Sequence, residues 1–119
     1  MRVDEAFPSF AVELGQLLTT SKRPDLTAQL GSLELVGRCA CGEGSCSTFY
    51  VSGGSSPLSE EQQSGRGPFC QEAVFMDATQ GMIAIGLDRI ERIVTVEVLN
   101  RPDVEVELAS AVERMRRVL

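Results

Sequence analysis

Between Ala73 and Leu99 three apolar runs of strand length follow one another, each bounded by turn residues, and this stretch limits the fold more than any other. The runs are Ala73-Val74-Phe75-Met76, Met82 to Leu87 and Ile90 to Leu99, divided by Asp77-Ala78-Thr79-Gln80-Gly81 and by Asp88-Arg89. Such short connections join antiparallel neighbours, because a parallel pair needs a crossover of a dozen or more residues. The stretch therefore predicts a three-stranded meander. In its last run Val94, Val96 and Val98 alternate with Thr95 and Glu97, the pattern of a strand with one buried and one wet face.

The spacing changes to that of a helix at both ends of the chain. Phe7, Phe10, Leu14, Leu17 and Leu18 recur at helical intervals behind Pro8, and Pro24-Asp25 opens a shorter helix with Leu26 and Leu30 that Gly31 closes. Two helices are thus expected before the first strand. Asn100-Arg101-Pro102-Asp103 reads as a further helix start, with Asn100 as cap and a stripe of Val104, Leu108, Ala111, Val112, Met115 and Leu119 behind it. The run Val104 to Leu108 also alternates as a strand would, so the boundary of that helix is open.

From Leu33 the chain reads as a strand, with Leu33, Leu35 and Gly37 on one side and Glu34, Val36 and Arg38 on the other. Gly42-Glu43-Gly44-Ser45 supplies a turn, and Ser47 to Val51 is rich in β-forming residues, so the two runs form a hairpin with cysteines flanking its tip. Residues 52–68 are rich in Gly, Ser, Pro and Gln and read as a long flexible internal loop. The expected fold is α+β: a single domain over residues 1–119, with a mainly antiparallel sheet of about five strands, hairpin plus meander, packed against N- and C-terminal helices.

Charge and missing residue types exclude several functions. The chain carries 17 acidic and 11 basic side chains, for a net charge of -6, and only Arg114, Arg116 and Arg117 cluster. Nucleic acid is not an expected partner, because phosphate neutralisation needs grouped cations, and those arginines fit the last turns of a helix whose dipole they complement. With no histidine there is no Ser-His or Cys-His dyad and no histidine metal ligand. Lys22 lies in a turn, and Asp77 and Asp88 read as turn formers, so no catalytic residue is predicted. The first residues hold Asp4 and Glu5 where an export signal would be basic and then apolar, and no run reaches the length of a membrane span, so the expected location is the cytoplasm.

Cys39, Cys41 and Cys46 fall within eight residues, and Cys70 follows the loop. Three readings stand for them. They are small buried residues of a strand and turn. Alternatively, all four bind a structural zinc ion, which four thiolates satisfy without an open position. The third reading is a thiol redox switch across the hairpin, with a thiolate activated by Arg38 or by the amides of the glycine turn.

The stretches LTAQLGSLELVGRCACGEGSCSTFYV and GMIAIGLDRIERIVTVEVLNRPDV together resemble a group of small bacterial proteins in which a short Leu-containing helix leads into a strand ending in CxCG, followed by Ser/Thr-aromatic residues. That resemblance implies a bacterial, cytosolic origin and brings no catalytic residue with it. With no catalytic constellation and a net charge of -6, the leading functional expectation is a non-enzymatic interaction module of adaptor, inhibitor or immunity type that meets a basic protein partner. The zinc domain and the thiol redox protein are the alternatives. Apolar residues on both faces of Met82 to Leu87 add the expectation of a homodimer.

Overall fold

Proline decides where three of the helices begin, since its fixed φ suits the first helical position and its missing amide costs no bond there. In the computed structural model, which describes residues 1–39, 45–52 and 72–118, α2 starts at Pro8, α3 at Pro24 and α4 at Pro102. The elements run α1 (Val3–Ala6), α2 (Pro8–Thr20), α3 (Pro24–Leu30), β1 (Glu34–Arg38), β2 (Phe49–Ser52), β3 (Glu72–Phe75), β4 (Met82–Leu87), β5 (Ile93–Leu99) and α4 (Pro102–Val118). Cys41, Cys70, residues 42–44 of the expected turn, most of the expected 52–68 loop and Leu119 lie outside the described residues.

The five strands form one antiparallel sheet in the order β1-β2-β5-β4-β3, so the hairpin and the meander meet at β2 and β5. The helices and one face of this sheet bury a single apolar cluster. Phe7, Phe10, Leu14, Leu18, Leu26, Val104 and Leu108 come from the helical side, and Phe49, Val51, Ile83, Ile85, Val96 and Val98 come from the sheet. Phe7 stacks on Phe49 at 4.6 Å between ring centres, with Phe10 edge-on to both at 6.1 and 6.4 Å. At roughly 1.5–3 kcal/mol for each large side chain fully buried, this cluster is the main source of stability. The α+β architecture is as the spacing predicts.

Four local readings are corrected. A third helix, α1, precedes β1, because Phe7 ends one short helix and caps the next rather than lying inside a single one. Ile90 is exposed, and β5 begins only at Ile93; Leu87 pairs with Ile93 while Gly86 pairs with Thr95, so Val94 lies in a bulge and Ile93 takes its place beside Val96 and Val98. A second bulge in β1, between Leu35 and Gly37, moves Arg38 to the same side as Leu35. Asn100 does not cap α4: it takes φ 59, its amide donates to the Ser45 carbonyl, and Arg101 directly precedes Pro102. The alternation in Val104–Leu108 loses to the helix, whose buried stripe is Val104, Leu108 and Ala111 with Val112 and Met115 packed against it.

The turns are held by side chains. The Asp88 carboxylate accepts from the Ile90 and Arg92 amides at 3.0 and 2.9 Å and from Arg92 Nε at 2.8 Å. Burial alone would raise that carboxyl, but these three donors outweigh it and hold it below the usual aspartate range. Gln29 ties α3 to the same connection, donating to the Glu91 carbonyl and accepting from the Ile93 amide. Among the described residues no helix is long and apolar enough to cross a membrane.

Candidate functional site

Residues paired across an antiparallel ladder share a face, so the register sorts the strand side chains between the helices and the opposite side. The pairs Leu35–Val51, Phe49–Val96 and Ile85–Val74 lie under the helices. Glu34–Ser52, Tyr50–Thr95, Ala84–Glu97, Met82–Leu99 and Ala84–Phe75 lie on the other face, from which no residue joins the helix-side cluster. The centre of that helix-free face is buried, with Ala84 at 0% exposure, and its margin is open, with Phe75 at 67% and Tyr50, Met82, Glu97 and Leu99 half-buried. Glu34 and Glu97 are its only charged side chains among the described strand residues. The Met1 ammonium meets Glu34 at 3.0 Å.

The two described cysteines belong to the same end of this face. Cys46 bridges Leu99, which carries the β2 register back past Phe49 and places the Cys46 side chain on the helix-free side, where it is buried. The Cys39 amide donates to the Thr48 carbonyl at 2.9 Å, which carries the Arg38–Phe49 register one residue further and turns half-buried Cys39 to that side too. The expectation that Cys39 and Cys46 flank one hairpin is met, while Cys41 and Cys70 lie outside the described residues. Among the described residues no three Cys, Asp or Glu side chains group as metal ligands would.

Arg38 points away from the cysteine side chains. Its guanidinium donates to Glu105 on α4 at 2.9 Å and to the Cys46 carbonyl at 3.4 Å, and Ser47 Oγ lies 3.1 Å from the same Glu105 oxygen. A hydroxyl donating to a carboxylate is the contact a general base makes to a nucleophile. Here Ser47 is 1% exposed and Glu105 is held by Arg38, so the hydroxyl serves to fasten the hairpin to the helix and no substrate atom reaches it.

A second polar cluster joins the middle of α2 to the start of α4. Arg101, 6% exposed, forms paired hydrogen bonds to Glu13 at 2.8 Å each and to Asp103 at 3.0 and 2.9 Å, and its guanidinium carbon stands 5.5 Å over the Phe10 ring. The hydrogen bonds to Glu13 and then Asp103 hold Arg101 firmly protonated, and Arg101 in turn holds the Asp103 carboxyl below its usual range. Beside it Glu13, Gln16, Leu17, Thr20, Thr79 and Gln80 line a half-open cleft of about 350 Å³. Glu13 is committed to Arg101 and the Thr20 hydroxyl donates to the Gln16 carbonyl, so this cleft presents amides and aliphatic stems without a reactive group. Reading the sequence alone misses the Arg101–Glu13 pair, because its members stand 88 positions apart.

No family model, curated protein or solved structure matches this chain. Function is therefore argued from the residues.

Proposed function

We propose that the protein is a non-enzymatic interaction module of adaptor, inhibitor or immunity type, which binds a basic protein partner at the open margin of its helix-free sheet face. The observation that carries this reading is the placing of Glu97 beside exposed or half-exposed Phe75, Met82 and Leu99, while the Met1 ammonium and Arg2 lie at the far, β1 edge of the face on Glu34. Apolar contacts at such a margin supply affinity, and the Glu97 carboxylate among them favours a basic partner over an acidic one. The net charge of -6 acts in the same direction at longer range. The test is partner retention at low and high salt by the wild type and by Glu97→Lys combined with Met82→Asp. Salt-sensitive retention lost in the variant is expected; retention indifferent to salt and to both substitutions refutes the reading.

The common face of Cys39 and Cys46 supports a second reading, a structural zinc site completed by Cys41 and Cys70. Native mass spectrometry on protein purified without chelator tests it. One bound zinc and four thiols protected until chelator is added is the expected result, and a metal-free mass with four freely alkylated thiols removes the reading. For the redox alternative, the commitment of Arg38 to Glu105 takes away one of the two activators that the sequence suggests.

A further inference from the structure

The sheet has two edges, and among the described residues only one is covered along its strand. At β1 the N-terminal segment closes the edge: the Val3 amide donates to the Leu33 carbonyl at 2.9 Å, the Leu35 amide donates to the Met1 carbonyl at 2.8 Å, and Arg2 bridges Glu34. A bulge interrupts the same strand. At the other edge β3 pairs with β4 in unbroken register. The Met76 amide donates to the Ile83 carbonyl at 2.9 Å, and alternation along an antiparallel ladder then makes Val74–Ile85 and Glu72–Leu87 the bonded pairs. Ala73 and Phe75 consequently direct their amides and carbonyls away from β4. Both residues are exposed, Phe75 at 67%. The strand, Glu72-Ala73-Val74-Phe75, has no proline, lysine or bulge, so that its four-residue length and Glu72 are all that blunts this edge.

We propose that two copies of this chain pair edge to edge through β3, antiparallel about a two-fold axis at Val74. That axis sets Ala73 opposite Phe75 of the second copy and Phe75 opposite its Ala73, so the outward groups of both residues on both copies are used in four hydrogen bonds. Each exposed phenyl ring then lies across a small alanine on the same face, and Val74 meets Val74 on the helix side. Glu72 falls opposite Met76, so no two carboxylates are brought face to face in the ladder. Any added strand could take the same backbone bonds, and a basic one would find only Glu72 among the β3 side chains to favour it, whereas a second copy sets Phe75 over Ala73 twice and brings no like charges together; the second copy is therefore the occupant. The two-fold is normal to the sheet and keeps both helix-free faces on one side. This inference does not rest on the partner-binding reading, since the edge and the face margin are separate surfaces apart from Phe75.

Sedimentation velocity from micromolar to millimolar protein, in reductant so that no intermolecular disulfide contributes, tests the pairing. The mass should rise from 12.9 kDa towards twice that value. Ala73→Pro removes an amide that faces away from β4 and so leaves the internal ladder intact, and Phe75→Lys removes the ring and adds repulsion across the axis. Both variants should remain at 12.9 kDa with an unchanged circular dichroism spectrum, while Val12→Lys, on the exposed side of α2, should dimerise as the wild type does. A wild type that stays monomeric throughout, or a dimer that survives both β3 substitutions, overturns the proposal.

Discussion

Arg101 and Glu107 stand less than two turns apart at the start of α4, and both are drawn into the protein, but their situations are opposite. Arg101 is nearly inaccessible, and its fork is bound to Glu13 and Asp103 over the face of Phe10. Glu107 is half-buried on the flank of the Val104–Leu108–Ala111 stripe, and its Oε2 is buried without a hydrogen-bond partner. Asp103 connects the two. It completes the Arg101 knot, and it stands one helical turn before Glu107 as a like charge. The contrast teaches that the cost of bringing a charge inside depends on its donors and acceptors more than on its depth.

The largest effect expected from breaking this contrast comes from Arg101→Met. The substitution keeps an apolar stem against Phe10 but leaves the Glu13 carboxylate beside the core without its partner. A fully buried pair broken in this way costs about 3–5 kcal/mol, and Glu13 and Asp103 keep 31% and 60% of their side-chain surface in water, so a loss of about 2–3 kcal/mol is expected. Urea unfolding measures it directly. A loss below about 0.5 kcal/mol, the range of an ordinary surface change, would show that the knot is only decorative.

Gly81→Ala attacks the same knot through the backbone. Gly81 has φ 65, and a Cβ there would run into the Leu99 carbonyl and come within 2.9 Å of Arg101 Cγ. The strained backbone and displaced arginine should cost about 1–3 kcal/mol. The Leu99 carbonyl and the positive φ set most of that loss, and only the part that comes from disturbing the ion pairs of Arg101 should vanish in an Arg101→Met background; full additivity in that double-mutant cycle would disconnect the glycine from the knot.

What was legible in the sequence follows the reach of the forces involved. Helical spacing from Phe7 to Leu18 and strand runs at Met82 to Leu87 and Ile90 to Leu99 are local; α2 and β4 appear where these place them, apart from Phe7, which caps α2, and β5 starts later, at Ile93. The two bulges were not legible. One extra residue at Val36 or Val94 reverses which face the following side chains take, and strict alternation along Glu34–Arg38 and Ile93–Val98 gives no sign of it. That is why Arg38, read as a partner for the cysteines, is found on Glu105 instead. Of the candidate site, the hairpin position of Cys39 and Cys46 could be read from spacing and glycines. The acidic helix-free face could not, because it is assembled from β1, β2, β3, β4 and β5 by the order in which they pair.

Glu107→Gln is the smallest of these changes, and it should stabilise. Burial first, and the charge of Asp103 second, push the Glu107 carboxyl above its ordinary value. In the folded chain the proton is therefore held to higher pH than in the unfolded chain. As pH rises from the unfolded value near 4.5 to the raised folded value, the native state binds more protons than the unfolded one, and stability falls across that window. Above it the penalty is complete; below it the carboxyl is protonated in both states and the penalty is absent. A neutral amide evades the penalty of the buried charge. The variant should gain about 0.5–1 kcal/mol at neutral pH and lose that advantage as the solution is acidified below the window. Paired urea unfolding of wild type and variant at neutral and acid pH checks both sign and window. A gain that is the same at both pH values would assign the effect to packing, and a destabilised variant at neutral pH would mean that Glu107 has a partner its charge serves.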